Sequence, residues 1–393
     1  MITKSGGLHI VKKIVFCVAL FAAPLFTATA RGQGELSSFA NGEVETSQPA
    51  KARAENSVQT VLAAASALPE ADTVIYINPQ RILNDALPKF MSEKDLAEMR
   101  SGFGELKQNV GIDPQKVDYI LIATRFRKPS AELSFIPPEF MIVAGGDVSA
   151  ESLLVLARMA SGGKLRDEKY GTKTIAVMTI EPLLKQAQNN PLLKSFTEVA
   201  IVPLNTNTIA VGSPAYLRAA VDAAEGTERI NRDFVNSLLR DPTVLISVAG
   251  SPLSSFRKTL GLLGTGSNSK ATGCETSFGD FYAALTMDAN NFLLRGAMNA
   301  DNPDTAKIMN NLLSALIQQA VEGVPDKTAQ SALKNLSFQP QESEVVLRAE
   351  IPQQTVLDLI KKHPKPKVET TSQPKPATRS RKKRVLRQRT KTQ

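Results

Sequence analysis

Two stretches of the chain run through the same order of elements, and that repeat narrows the fold more than any other feature. In the first, residues 73–77 (TVIYI) form a short β-rich run, and Asn78-Pro79 marks a turn into a helix. Residues 81–109 read as mostly helical, broken near Pro88, with Ser92-x-x-Asp95 as a cap signal. Gly111-Ile-Asp-Pro114 ends that stretch, because glycine suits a helix C-terminus and proline cannot continue one. A strand pair follows at 117–126 and 140–146, then a helix at 149–160 and a strand at 173–180. The second stretch has a strand at 243–249, a helix at 252–263 and a strand pair at 278–287 and 291–298. Its long helix, 303–321, places Ile308, Leu312, Leu316 and Ala320 at four-residue spacing on one face. A strand at 344–351 and a helix at 352–361 close it.

Each stretch therefore reads strand, helix, strand, strand, helix, strand. The expected fold is α+β, with two similar βαββαβ-like halves at 68–232 and 233–362 and antiparallel or mixed sheets packed against helices. An extra hairpin, 196–202 and 208–212 around Asn205-Thr206-Asn207, and a helix at 214–224 are expected to link them.

The ends are of another kind. Lys4, Lys12 and Lys13 precede an apolar run of thirteen residues, Ile14 to Phe26, and Ala28-Thr29-Ala30 supplies a small-x-small cleavage pattern. Thirteen residues rise only about 20 Å as a helix, short of a bilayer core of roughly 30 Å. Residues 1–30 thus read as a cleavable signal peptide, and the expected destination is the periplasm, cell surface or exterior. N-terminal sequencing of envelope material should return Arg31 as the first residue; Met1 would refute the assignment.

Residues 31–67, rich in Ala, Ser, Glu, Gln and Gly, read as a disordered leader, and 363–393 as a disordered basic tail. Cleavage would remove Cys17 and leave Cys274 alone, so the mature chain has no intramolecular disulfide and must rely on its core.

Charge is divided unevenly. Of the overall +9, residues 361–393 carry +12 (thirteen Lys/Arg and one acid, Glu369) and the first thirty carry +3, so 31–360 is at −6. Attraction to polyanions is therefore expected of the tail. Its dense cations are Arg379, Arg381, Lys382, Lys383, Arg384, Arg387, Arg389 and Lys391, and the expected partners are anionic polymers or a membrane surface.

A family likeness rests on Leu68-Pro69-x-x-Asp72-Thr73-x-x-Tyr76, Gly111-x-Asp113-Pro114, Gly145-Gly146-Asp147, Tyr170-Gly171 and Val211-Gly212-Ser213. With these marks the chain resembles a loose set of exported bacterial α+β proteins of unknown function, over about 68–227. The resemblance implies a periplasmic or surface protein and brings no catalytic residue with it.

The chemistry is constrained by what the body lacks. The two histidines are His9 and His363, so 31–362 has none, and His-assisted triads and His-based zinc sites are excluded there. Gly212-Ser213-Pro214 and Gly250-Ser251-Pro252 each lie between a strand and a helix. Neither fits a nucleophile elbow, and capping by Ser with Pro at the first helical position explains both. The loop 261–270 (GLLGTGSNSK) has Ser267 where a phosphate loop needs Lys. Asp301-Asn302-Pro303-Asp304 reads as a helix cap, and Asp167-Glu168 and Glu342/Glu344 as solvated strand ends. No catalytic residue, metal ligand or cofactor is expected. The leading expectation is an exported, non-enzymatic binding or scaffold protein of the envelope; the alternative is an exported hydrolase whose carboxylates or Ser/Lys converge in the fold.

Overall fold

The run TVIYI becomes the middle of the molecule. In the computed structural model, which describes residues 59–110, 113–126, 138–147, 149–161, 164–179, 197–227, 229–251 and 278–362, strand β1 (Thr73–Ile77) is buried on both faces. Val74 and Tyr76 enter the largest core, and Ile75 and Ile77 enter a second one across the sheet. An unbroken apolar run is what a strand covered on both sides requires.

The remaining strands are β2 (Val117–Arg125), β3 (Glu139–Gly146), β4 (Leu165–Tyr170), β5 (Lys173–Thr179), β6 (Glu198–Asn205) and β7 (Thr208–Gly212). After them come β8 (Ile246–Gly250), β9 (Phe278–Met287), β10 (Asn291–Ala300), β11 (Ser337–Gln341) and β12 (Glu344–Pro352). All twelve join one sheet in the order β11-β12-β10-β9-β8-β1-β2-β3-β7-β6-β5-β4. Every neighbouring pair is antiparallel.

The fold is α+β with two similar halves, which meet where β1 pairs with β8, Thr73 opposite Gly250 and Ile77 opposite Ile246. From that seam each half runs outward through a hairpin (β2–β3, β9–β10) and ends in a second hairpin whose later strand is the inner one (β5 inside β4, β12 inside β11). Leaving aside the β6–β7 hairpin, each half thus has one strand more than the βαββαβ order expected. The added strands, LRDEKY and SFQPQ, are the two sheet edges. Charge on one and Pro340 on the other suit edges that must not recruit further strands. The β6–β7 hairpin does not act as a link between the halves: it lies inside the first, between β3 and β5.

Helices lie on both faces. On the face of Val74 are α1 (59–66), α5 (Pro214–Ala224) and α6 (Arg232–Leu238), which bring Val61, Ala65, Tyr216, Leu217, Phe234 and Leu238 to the main core. Helix α1 corrects the leader boundary, since Val61 and Ala65 are 1% and 0% exposed. The expected division at 232/233 falls on the first residue of α6.

The other face carries α2 (79–90), α4 (Ala150–Ala160), α7 (Pro303–Gly323) and α9 (Gln353–Lys362); α4 and α7 each pack on an apolar cluster, and α2 and α9 share a third. Pro88 does not break α2. A π-turn, Ile82–Ala86, precedes it, with the Leu87 N–H reaching back to the Ile82 carbonyl, and the helix runs on to Phe90. The wider turn accommodates a residue that has no N–H to give. The real break is at Met91–Ser92, where Ser92 and Asp95 form the expected cap of α3 (Glu93–Val110): the Asp95 N–H donates to Ser92 Oγ (3.2 Å), and Ser92 Oγ donates to Asp95 Oδ2 (2.8 Å).

In α7 the buried stripe is Thr305, Ala306, Met309 and Leu313, while Ile308 is 55% exposed. The expected four-residue stripe lies beside the true one. The expected helix at 252–263, the glycine-rich loop, Cys274, the signal peptide, residues 31–58 and all eight tail cations lie outside the described residues.

Candidate functional site

The two Gly-Ser-Pro turns, far apart in sequence, emerge at the same end of the sheet. Across that end stand Asp280 at the start of β9, Ser251 after β8, Asp72 before β1, Arg125 at the end of β2, Glu139 at the start of β3 and Ser213 after β7. The register enforces this, because Thr73 pairs with both Thr124 and Gly250, and Met141 with Gly212.

Each glycine is needed for close approach. A Cβ on Gly212 would collide with the Phe140 carbonyl, and one on Gly250 would lie 2.7 Å from the Phe281 ring and 2.9 Å from the Asp72 carbonyl. The motif is thus explained by strand packing.

The polar groups at this end bind one another. Asp72 Oδ2 accepts from the Phe126 N–H (2.6 Å), and Ser213 Oγ accepts from the Phe140 N–H (3.2 Å), so both side chains extend the ladder where the chain leaves the sheet. Ser213 therefore occupies the N-cap of α5 without capping it, contrary to the sequence reading, although Pro214 takes its expected place. Ser251 Oγ donates to Asp280 Oδ1 (2.5 Å).

Arg125 donates twice to Glu139 Oε2, from Nε (3.0 Å) and Nη2 (2.7 Å), and its guanidinium lies 4.7 Å from the centre of the Tyr216 ring. The Tyr216 hydroxyl donates to the Glu70 carbonyl (3.0 Å), and burial pushes its phenol pKa up. With Glu139 only 6% exposed, Arg125→Ala would leave a buried carboxylate without its main cation. That variant should lose about 2 kcal/mol of stability in urea denaturation, and Arg125→Ala/Glu139→Gln should recover part of it. Equal midpoints for wild type and Arg125→Ala would show the pair to be dispensable.

Other candidates resolve into structural roles. Asn302 Oδ1 caps α7 by accepting from the Thr305 N–H (2.8 Å), and Asp304 pairs with Lys307 (2.9 Å). Asp167 and Glu168 are not free strand ends: Arg158 donates to both oxygens of Asp167, and Arg218 donates bidentately to Glu168. Among the described residues no three His, Cys, Asp or Glu side chains group to hold a metal.

The structure adds one feature that sequence reasoning missed, an open cleft of about 650 Å³ between α7, helix α8 (Lys327–Lys334) and β11. Ile317, Val321, Leu333, Leu336 and Phe338 line it together with polar groups that include Gln318 and Lys334. Neither α8 nor β11 was expected, so no sequence signal pointed to the cleft.

No protein-family model matches the chain, and no curated protein matches it. Among solved structures, crystal form III of TP0453 is similar with a TM-score of 0.40 at 10% identity, over 76% of this chain and 97% of that one. Crystal form I of TP0453 has a TM-score of 0.39 at 10% identity, over 76% and 96%. Likeness this loose carries no functional argument.

Proposed function

We propose that the chain is an exported, non-enzymatic protein of the cell envelope that binds or scaffolds, and that its basic tail contacts an anionic polymer or membrane surface. The observation that carries this reading is the segregation of charge, +12 in residues 361–393 against −6 in 31–360. A dense cation strip beside an acidic body gains affinity by releasing condensed counter-ions from a polyanion. The tail follows α9, whose Val356 packs with Ala86, Leu245 and Phe292, so the cations are tethered to a firm element.

The form of the body favours binding over hydrolysis. Apolar Ile317, Val321, Leu333, Leu336 and Phe338 line its open cleft. The three carboxylates at the end of the sheet with the Gly-Ser-Pro turns, Asp72, Glu139 and Asp280, already accept from the Phe126 N–H, Arg125 and Ser251. The alternative, an exported hydrolase, would need those groups released. The test is the salt dependence of binding to DNA and to anionic vesicles, compared between the intact chain and one with its tail cations neutralised. Equal binding by the two would refute the tail's role.

A further inference from the structure

Five half-buried apolar side chains line the cleft between α7, α8 and β11: Ile317 and Val321 from α7, Leu333 from α8, and Leu336 and Phe338 around the start of β11. Its volume of about 650 Å³ is of the size that takes a drug-sized molecule, so a few side chains would fill it. An occupant that covered these groups would remove their apolar surface from water.

The chain carries a segment that can reach the cleft. Helix α9 is about 15 Å long and touches α8, so Lys362, where the tail begins, lies within about 20 Å of one wall. Residues 363–384 separate Lys362 from Val385, and a coil of about 22 residues has a root-mean-square span of about 25 Å. Reach and gap therefore match. Val385 and Leu386 are the two large apolar residues of 379–393, and Arg384 and Arg387 flank them. A tether whose span matches the gap holds its end at an effective concentration in the mM range, so a contact with an intrinsic Kd of about 1 mM is made about half of the time.

Charge draws the same two parts together, since residues 361–393 are at +12 and 31–360 at −6. Glu322 lines the cleft, with Gln318 Nε2 3.5 Å from its Oε1, and presents a carboxylate to either flanking arginine. Lys334 also lines the cleft and opposes those arginines, so the local charge is balanced and the apolar pair decides the seat.

We propose that the cleft seats the chain's own C-terminal segment, with Val385 and Leu386 among its apolar side chains, and that a polyanion must displace this contact to engage the whole tail. The inference rests on the polyanion reading of the tail and gives the cleft an occupant. The chain's own segment is favoured over a separate partner because the tether raises its local concentration and the net charge of the body attracts it.

The chain has no tryptophan, so Leu386→Trp in the full-length protein is a single reporter that keeps an apolar side chain at the seat. Its emission should be blue-shifted, and acrylamide should quench it about 2-fold less than in the same chain carrying Val321→Asp, for a seat filled about half of the time. Glu322→Lys, at an exposed position, should also raise the quenching and carries the comparison if Val321→Asp unfolds. Lys334→Gln removes the opposing cation and should lower it. In a chain without the reporter, Val385→Ser/Leu386→Ser should bind single-stranded DNA about 2-fold more tightly at low salt, because the competent fraction of tails rises from about half to all.

Quenching of Leu386→Trp that is the same with and without the two cleft substitutions overturns the seat. Shielding that grows with protein concentration would place a second copy's tail in the cleft and overturn it as well. Shielding by the cleft with DNA affinity unchanged in Val385→Ser/Leu386→Ser overturns the competition. Equal DNA binding by the intact and the tail-neutralised chains would instead refute the polyanion reading of the tail and leave the quenching result standing.

Discussion

A chain lacking residues 31–66 should melt about 10 °C lower than one lacking only 31–58. The difference is helix α1, where Val61 and Ala65 are 1% and 0% exposed and Leu62 and Ala64 pack against the same core. That core also holds Leu68, Tyr76, Phe234 and Leu238, so removing α1 uncovers the central strand's neighbours as well as losing its own side chains. Losing one large buried apolar residue costs about 2–5 kcal/mol, and losing a helix of about two turns would cost about 5 kcal/mol. For a body of this size each kcal/mol shifts the melting point by roughly 2–4 °C. Val61→Asp should reproduce much of the loss in an otherwise intact chain. Equal melting of the two truncations would mean that α1 is not held by the core.

That helix shows where reading the sequence stops. Residues 59–66 (QTVLAAAS) adjoin a long low-hydropathy leader, and alanine on a buried face looks the same as alanine in a linker. Strands with strong apolar runs were legible: β1, β7 and β9 lie close to or at their expected bounds, because burial there demands β-branched and aromatic residues. The edge strands were not, since an exposed edge selects the residues that propensity assigns to loops. The α7 stripe was displaced because Thr305 and Met309 bury while Ile308, the stronger hydrophobe, faces solvent. Packing against Met298 and Leu347, not hydropathy, chose the face.

The candidate site was legible only in pieces. Both Gly-Ser-Pro turns stood out, but their meeting at one end of the sheet depends on β1 lying between β2 and β8, a pairing no local pattern encodes. Sequence also could not show that Ser213 bonds Phe140 in place of its own helix, for that partner is 73 residues away.

The tail leads to the largest expected effect. Replacing Arg379, Arg381, Lys382, Lys383, Arg384, Arg387, Arg389 and Lys391 by Gln should lower affinity for DNA or anionic vesicles at low salt by about 100-fold or more. Each phosphate neutralised contributes roughly 0.7–0.9 to the slope of log K against log salt. If six to eight cations engage, the intact chain should lose orders of magnitude in affinity between low and moderate salt, and the neutralised chain should show a far shallower line. Replacing only Arg381, Lys382, Lys383 and Arg384 should give an intermediate slope. Folding should be untouched by any of these changes, because among the described residues the last one that packs in an apolar cluster toward that end is Val356, on α9. The tail's contribution should also be indifferent to nucleotide sequence, since contacts between cations and phosphates carry no base information. Binding that ignores salt, or that survives neutralisation unchanged, would move recognition into the body, to the cleft beside α8, and would reopen the enzyme alternative.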